Sequence, residues 1–247
     1  MARTLRAFVE NPRQCSYLSD RRASLAHEVV LDMTPAEWEA RLQRGWRRFG
    51  PVYFRPACAG CLDCVSIRVS TRDFRPSRSQ RRARRDCAHL KVAVGTPRVT
   101  EDRIALYHAW HRSREAERAW EPSLLDLETY AAQFAFPHPC SREVSFYEGQ
   151  RLVGVGLCDE TPGAWSAIFF FYHPDLAHLG LGTANVVAQI EMARARGIPY
   201  LYLGYRVASC PSLHYKSRFR PHELLEGRPP LGESPRWITP GEPDLEI

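Results

Sequence analysis

The sequence has no long hydrophobic run and no recognisable export signal. No apolar stretch approaches the roughly 20 residues that a transmembrane helix needs, and the opening residues MARTLRAFVENPRQ lack the apolar core of a signal peptide. We therefore expect a cytoplasmic protein without a membrane partner. Internal repeats and low-complexity segments are missing too. No serine, histidine and aspartate set and no cysteine and histidine pair indicates a covalent catalytic intermediate.

The overall composition is that of an ordinary globular protein. The chain has 247 residues, of which 44% are hydrophobic and 25% are charged, enough to bury the core of one large domain or two small ones. The formal net charge of +6 favours a polyanionic partner. Because no basic amphipathic helix stands out, nucleic acid is a better candidate than a membrane surface.

Eight cysteines are present, and in a reducing compartment they are not expected to form disulfides. Cys58, Cys61 and Cys64 follow a CxxCxxC spacing on a short connection between two predicted strands. Such a sulfur set suits zinc or an iron-sulfur cluster, and the spacing does not choose between them. Cys15 is the expected fourth ligand, and Cys87 is a competing one.

The second half of the chain contains a predicted strand, loop, helix and strand unit. The apolar run Ser166 to Tyr172 has the length of a buried strand. A glycine-containing loop follows, and Thr183 is predicted to open a helix over Ala184 to Arg196. Tyr200 to Gly204 then predicts a second strand, parallel to the first. Backbone amides in the loop can point at a ligand.

Other elements are predicted from capping and alternation patterns. Strands are expected near 23–31, 53–54 and 65–69, helices at 34–43, 103–117 and 124–134, and a hairpin at 145–158.

Two basic segments stand out. Arg75 to Arg85 holds six arginines in eleven residues and should open a helix capped by Ser77 or Ser79. Guanidinium groups bind carboxylates and phosphates in a bidentate manner, so this segment can hold either kind of ligand. The second segment, from Tyr205 to Arg220, mixes basic and aromatic side chains.

Four motifs follow one another along the chain: CAGCLDC, SRSQRR, FFYHPDLAHLGLGT and YLGYRVASCPSLHYKSRFRP. In content and in order, this set resembles the motifs of the aminoacyl-tRNA:protein transferases of the N-degron pathway. It is most similar to the short bacterial form that transfers leucine to amino-terminal aspartate or glutamate. The resemblance runs from about Cys15 to about Leu225.

The resemblance implies an α+β fold with a GNAT-like acyltransferase domain and a small cysteine-containing N-terminal region. We assign residues 1–90 to the N-terminal region with the cysteine cluster and basic segment, 91–228 to the GNAT-like transferase domain and 229–247 to a loose C-terminal tail. The family also supports the cysteine set as a metal site, since eukaryotic relatives are associated with an iron-sulfur cluster.

The implied reaction is aminolysis of an aminoacyl-tRNA ester by the α-amine of a protein, which requires no cofactor for its chemistry because the ester is already activated. The resemblance implies that Arg78 and Arg81 pair with the acidic side chain of the acceptor. His173 or Asp175 is the candidate for accepting or relaying the amine's proton. Relatives usually carry an acidic residue where this chain has His173, which puts that role in doubt.

A further set of candidates follows from the same resemblance, for contact with the tRNA end or for stabilising developing charge. Lys216 is the catalytic candidate of this set, and its substrate-binding members are Tyr205, Tyr215, Arg218 and Arg220. The implied partners are leucyl-tRNA and proteins that begin with aspartate or glutamate.

Three alternatives remain open from the sequence. Arginyl transfer to the same acceptors is the nearest. An acetyl-CoA-dependent GNAT acetyltransferase is the second, since LGLGT is similar to a pyrophosphate-binding loop but carries only two glycines. The third is a non-catalytic basic zinc or iron-sulfur protein that binds nucleic acid.

Overall fold

The computed structural model describes residues 2–118, 120–123 and 125–241. The first part of the chain supplies seven strands and two helices. In order they are β1 (Arg3–Val9), β2 (Arg13–Gln14), β3 (Arg22–Ala23), β4 (Leu25–Leu31), α1 (Pro35–Leu42), β5 (Arg47–Phe49), β6 (Val52–Pro56), β7 (Val65–Ser70) and α2 (Arg78–Asp86).

The rest of the chain continues with β8 (Lys91–Gly95), α3 (Glu101–Arg118), α4 (Leu127–Phe134), β9 (Ser141–Glu148), β10 (Arg151–Glu160), β11 (Ala164–Tyr172), α5 (Leu181–Ala195), β12 (Tyr200–Arg206), α6 (Pro211–His214), β13 (His222–Leu225) and β14 (Trp237–Ile238). Two short 3₁₀ helices, Pro174–Leu179 and Tyr215–Arg218, precede α5 and follow α6.

Helix α1 begins where the capping pattern predicts. The Thr34 hydroxyl accepts a hydrogen bond from the Glu37 amide at 3.3 Å, and the Glu37 carboxylate accepts one from the Thr34 amide at 3.0 Å. This reciprocal capping box satisfies two backbone donors that a helix start leaves unpaired. The helix buries Trp38 and Leu42 beneath the N-terminal sheet.

Two main sheets form the fold. A four-stranded sheet has the order β1-β4-β6-β5, and an eight-stranded sheet has the order β14-β13-β7-β12-β11-β10-β9-β8. Every neighbouring pair in the larger sheet is antiparallel except β11 and β12, which are parallel. The mixture of helices with a mostly antiparallel sheet confirms the predicted α+β class.

The predicted parallel crossover is confirmed, and its ladder is short. Strands β11 and β12 pair only over three residues each, Ala164–Ser166 and Tyr200–Tyr202. Helix α5 links the two strands. The prediction that Thr183 opens this helix is wrong, because α5 starts at Leu181 directly after Gly180. Gly180 has a φ of +71°, a conformation that a side chain would strain.

Helices cover both faces of the large sheet. Helices α2 and α5 pack together on one face, around the buried side chains of Trp165, Leu181 and Phe219. Helix α3 packs against β10 and β11 on the other face, around Trp110 and Phe171. Within the described ranges 2–118, 120–123 and 125–241, no helix is long and apolar enough to cross a membrane.

The eight-stranded sheet takes strands from both sides of residue 90. Strand β7 lies between β12 and β13, and α2 packs on α5, so these parts of the segment 1–90 lie within the body formed by 91–228. The division at residue 90 stays a prediction. The tail that the sequence predicts to be loose is held in its described part, since β14 pairs with β13 and the Trp237 ring lies under the Arg68 guanidinium. Residues 242–247 of that tail lie outside the described residues.

His138 gives the fold a specific pH dependence. Its Nδ1 accepts a hydrogen bond from the Cys140 amide at 3.1 Å, which leaves the proton of the neutral ring on Nε2, 3.0 Å from the Tyr53 hydroxyl. Burial, helped by the positive charge of Arg48, lowers the pKa of His138 to about 4.

Because an unfolded histidine has a pKa near 6.5, the unfolded chain binds this proton first as the pH falls. The stabilisation from a neutral His138 is therefore complete above pH 6.5 and is lost as the pH approaches 4. We expect the free energy of unfolding, measured by urea denaturation, to fall more steeply between pH 7 and 4.5 in the wild type than in His138→Gln. Equal slopes for the two proteins would contradict this assignment.

Candidate functional site

Two cavities meet where the parallel ladder of β11 and β12 ends. One, which we call the cysteine cavity, has a volume of about 250 Å³ and lies between the two sheets. The other, the tryptophan cavity, has a volume of about 500 Å³ and lies beside α3 and α5. Four residues line both cavities: Ala167, Ile168, Leu203 and Lys216. A ligand in either cavity therefore reaches these four residues, Lys216 among them.

Lys216 is the one sequence-predicted catalytic candidate that lies at this junction. Its position on the 3₁₀ helix Tyr215–Arg218 turns the side chain toward β12, where Nζ donates a hydrogen bond of 2.8 Å to the Tyr205 carbonyl. Burial, together with the neighbouring Arg47 guanidinium, lowers the pKa of Lys216 to about 7. A substantial share of these side chains is therefore neutral at physiological pH, which suits proton acceptance.

Tyr205 and Tyr215 are placed differently from each other. The Tyr205 hydroxyl donates to the Gly45 carbonyl at 2.7 Å, so the ring joins β12 to the turn before β5, while its own carbonyl holds Lys216. Tyr215 is 40% exposed and lines the tryptophan cavity. Tyr205 thus positions Lys216 through its backbone carbonyl, whereas the Tyr215 side chain is accessible to a ligand.

The tryptophan cavity presents aromatic and cationic groups. Trp110 and Trp120 make an edge contact with ring centroids 5.6 Å apart, and the Arg114 guanidinium lies 5.6 Å from the Trp110 centroid. Arg114 also donates to the Tyr172 hydroxyl at 3.0 Å. Gly182, in the first turn of α5, lines the same cavity. Such surfaces suit stacking of nucleic-acid bases.

Sequence reasoning missed Arg47, a buried arginine in the wall of the cysteine cavity. It lies on β5, only 7% exposed, and donates to Ser166 Oγ at 3.0 Å, to the Gly204 carbonyl at 3.1 Å and to Ser66 Oγ at 3.4 Å. These partners belong to β11, β12 and β7, so Arg47 fills the gap where β11 and β12 separate. The available signal was the charged pair inside the aromatic segment GWRRFG, which is unusual for an exposed turn.

The arginines predicted to bind the acceptor lie outside both cavities. Arg78 and Arg81 are exposed on α2, which the predicted cap Ser77 begins through a capping box with Gln80. The Gln80 side chain donates to the Arg218 carbonyl at 3.1 Å and so fixes α2 beside the second basic segment. A basic surface results, with these exposed members: Arg75, Arg78, Arg81, Arg218 and Arg220.

His173 and Asp175 form a pair of their own at the end of β11. His173 Nδ1 lies 3.4 Å from Asp175 Oδ2, and the Asp175 side chain is 76% exposed. Neither residue lines the cysteine cavity or the tryptophan cavity, although the preceding Tyr172 lines the latter. The structure does not bring them together with Lys216, and their role in proton transfer stays a prediction.

The four cysteines predicted as metal ligands, Cys15, Cys58, Cys61 and Cys64, all line the cysteine cavity. The competing candidate Cys87 lies elsewhere, in the core beneath α2 with its thiol 3.7 Å from the Leu179 carbonyl.

Two of the four sulfur atoms accept hydrogen bonds from the backbone. Backbone amides donate to Cys58 Sγ at 3.4 Å and to Cys15 Sγ at 3.5 Å. Burial and the neighbouring sulfurs of Cys58 and Cys15 raise the pKa of Cys64 to about 12, so the thiols are close enough to affect one another. Over the described part of the chain, however, no three histidine, cysteine, aspartate or glutamate side chains are already arranged to hold a metal ion. The donor type suits zinc or an iron-sulfur cluster, and both metal binding by these cysteines and the identity of the metal stay predictions.

Comparisons with known proteins place the chain in a family. Residues 13–82 match the model described as arginine-tRNA-protein transferase, N terminus, and residues 102–226 match arginine-tRNA-protein transferase, C terminus. The chain is 33% identical over 231 residues to an aspartate/glutamate leucyltransferase of Helicobacter hepaticus, covering 93% of this chain and 96% of that one. It is 37% identical over 223 residues to one of Halorhodospira halophila, covering 87% and 92%.

Among solved structures, FemX matches 74% of this chain and 63% of its own with 7% identity and a TM-score of 0.44, which is too low to establish a shared fold. The sequence matches are much stronger than this structural match. Both halves of the chain fit their family models, and relatives align along nearly their full length. The chain belongs to the arginine-tRNA-protein transferase family.

Proposed function

We propose that this protein transfers leucine from leucyl-tRNA to the α-amino group of cytoplasmic proteins that begin with aspartate or glutamate, which marks them for degradation. The observation that carries the proposal is the near full-length similarity to relatives named aspartate/glutamate leucyltransferase. The two cavities that meet beside Lys216 support it, because such a transfer needs two substrates in contact.

The proposal includes a fold assignment. We assign the region 91–228 to a GNAT-like acyltransferase domain and the region 1–90 to a small cysteine-containing N-terminal region. The order of hairpin, strand, glycine-containing loop, helix and strand supports the first assignment, as does the early end of the ladder between β11 and β12.

The chemistry is aminolysis of an ester. The acceptor's α-amine nitrogen attacks the leucyl carbonyl carbon, an amide bond forms, and the carbon-oxygen bond to the terminal ribose breaks. The proton lost by the amine ends on the released ribose oxygen. Neutral Lys216 can take that proton from the attacking amine, and as a cation it can then stabilise or protonate the departing oxygen. Burial of Lys216 is what makes the neutral form available at physiological pH.

The basic surface on α2 and on the segment after Lys216 is assigned to the tRNA backbone. Its exposed arginines suit phosphate contacts. The tryptophan cavity lies on the same side of the junction as Tyr215 and offers aromatic rings to the terminal bases. Arg78 and Arg81 are among the arginines of this surface, so of their two candidate ligands the phosphate suits their exposure better than the acceptor's carboxylate.

No metal or organic cofactor is required by this chemistry, because the ester supplies the activation. Cys15, Cys58, Cys61 and Cys64 are the residues that would hold zinc or an iron-sulfur cluster. Such a group would cross-link the segment around Cys15 to the CxxCxxC turn and so fix one wall of the cysteine cavity.

The test uses purified protein and peptides that begin with aspartate, glutamate or alanine, with tRNA carrying radiolabelled leucine or arginine. We expect leucine on the aspartate and glutamate peptides and none on the alanine peptide. Transfer of arginine instead would overturn the leucine assignment and favour the arginyl alternative. Transfer from neither tRNA would overturn the proposal. A parallel reaction with labelled acetyl-CoA then separates an acetyltransferase from a protein that only binds nucleic acid.

A further inference from the structure

Arg47 differs from the other buried arginines in what it contacts. Arg48 is paired with Asp159 and Arg103 with Glu143, so each of these cations meets a buried carboxylate. The three hydrogen bonds of Arg47 go instead to neutral oxygens, two hydroxyls and one carbonyl. Its Nε is buried and has no hydrogen-bond partner among the residues that the structure describes. A buried cation that no carboxylate contacts is costly, so an anion that reaches Arg47 would be bound favourably there.

The position of Arg47 in the cavity points to the ligand. A Cβ placed on Gly204 would lie 3.4 Å from Lys216 Nζ and 3.9 Å from Arg47 Nε. The space that this glycine leaves open is therefore bordered by the proton-accepting amine and by the buried guanidinium. Gly204 also has a φ of +84°, which favours glycine independently. A ligand in this space can present an anion to Arg47 and a second group to Lys216.

We propose that Arg47 binds the side-chain carboxylate of the acceptor's first residue, in the cysteine cavity, and thereby selects aspartate and glutamate. This inference rests on the proposed function. In an amino-terminal aspartate or glutamate, the carboxylate lies a few bonds from the α-amine, so pairing with Arg47 places the amine beside Lys216. The leucyl ester then approaches from the tryptophan cavity. This role replaces the one that the sequence predicts for Arg78 and Arg81.

The surroundings of Arg47 explain why a neutral side chain should be rejected. The cavity wall includes Phe49, Phe54 and Leu203. Four other arginines line the same cavity, but Arg13, Arg21 and Arg22 are exposed and Arg48 is paired with Asp159. In such a setting an ion pair is stronger than in water, and an uncharged asparagine leaves the guanidinium unpaired. Selectivity between aspartate and asparagine therefore measures the contact directly.

The experiment compares peptides that begin with aspartate and asparagine, with leucyl-tRNA as the donor. In Arg47→Gln we expect the KM for the aspartate peptide to rise about thirty-fold or more, while the KM for leucyl-tRNA stays within about twofold of wild type. The preference for aspartate over asparagine should shrink by the same factor. Arg47→Lys should restore part of it. An unchanged preference in folded Arg47→Gln overturns the inference.

Ser166→Asp provides a second variant in case Arg47→Gln does not fold. It places a carboxylate where Ser166 Oγ now accepts a hydrogen bond from Arg47 at 3.0 Å. The protein's own carboxylate then neutralises the guanidinium in place of the ligand's. We expect this variant to lose the aspartate preference as well. Arg196→Gln is the matched control, since Arg196 pairs with Glu160 outside both cavities, and it should keep the preference.

A binding measurement on the wild-type protein needs no variant. An aspartate-initiated peptide amide should raise the melting temperature, and the matching asparagine peptide should not; equal effects overturn the inference. The two proposals fail separately. If the wild type transfers leucine to no peptide, the proposed function fails. If it transfers leucine and the Arg47 variants keep full selectivity, only the role of Arg47 fails.

Discussion

Lys216→Met is expected to lower kcat for leucine transfer about a thousandfold, the middle of the range for loss of a general acid or base. The KM values for peptide and tRNA should change little, because the side chain acts on the proton rather than on binding. In the proposed mechanism the neutral lysine is the active form, and in the free protein the pKa of Lys216 is about 7. In the wild type, kcat/KM should therefore be low below pH 6, rise through pH 7 and level off above pH 8.

The chain supplies a matched control for this prediction. It contains two lysines, Lys216 and the exposed Lys91 on β8. Lys91→Met should keep the wild-type rate and the wild-type pH profile. Lys216→Arg should not restore activity, because guanidinium stays protonated in this pH range. A Lys216→Met enzyme with near-normal kcat, or a wild-type rate that does not depend on pH between 6 and 8, would contradict the assignment.

The pKa of Lys216 can also be measured directly. Reductive methylation with ¹³C-formaldehyde labels the two lysines and the amino-terminal amine, which itself titrates at about pH 7.7 to 8.0. We expect a lysine signal that titrates near pH 7 and is absent from Lys216→Met, while the signal of the amino terminus is present in both proteins.

Asp159→Ala is expected to have the largest effect on stability, a loss of about 3 to 5 kcal/mol. Asp159 on β10 is fully buried and accepts from Arg48 Nε at 2.9 Å, while Arg48 lies on β5 of the other sheet. Arg48 is held further by the Ser141 hydroxyl at 2.6 Å and the Gly50 carbonyl at 2.9 Å. Removing the carboxylate leaves a buried guanidinium uncompensated at the junction of the two sheets. Urea denaturation of the wild type and the variant measures the difference.

Two further variants separate this mechanism from a general loss of packing. Asp159→Leu combined with Arg48→Met removes both charges and should recover much of the stability, since hydrophobic replacement of a buried pair is often neutral. Glu191→Ala breaks the exposed pair of Glu191 with Arg84 and should cost less than about 1 kcal/mol. A loss below 1 kcal/mol in Asp159→Ala would show that the pair does not stabilise the contact between the sheets.

The prediction from sequence succeeded where the interactions are local. The caps of α1 and α2 follow from Thr34 and Ser77 with a matching acceptor three residues later, because capping involves only neighbours in the chain. The strand, helix and strand unit around α5 follows from the period of its apolar residues. The start of α5 was misplaced by two residues because a glycine in a left-handed conformation, and no side-chain cap, ends the preceding loop.

The site was only partly predictable, for a related reason. The motifs named Lys216, which the structure places where the two cavities meet, and four cysteines, which it places around one cavity. The roles of these residues stay predictions. The same motifs proposed His173 and Asp175, which the structure places outside both cavities, and they did not reveal Arg47. An arginine pair in a three-residue strand gives no periodic signal. The contacts that bury Arg47 are with Ser166 and Gly204, which lie far along the chain.

The sequence by itself determined the family, the elements with strong local signals and the chemical types of the candidate ligands, because these depend on short-range order and residue identity. Tertiary structure alone decided that β7 is inserted between β12 and β13, that the ladder between β11 and β12 ends after three residue pairs, and that Arg47 and Lys216 both lie beside Gly204. These relations depend on contacts between residues far apart in the chain, and burial there is also what lowers the pKa of Lys216 to about 7.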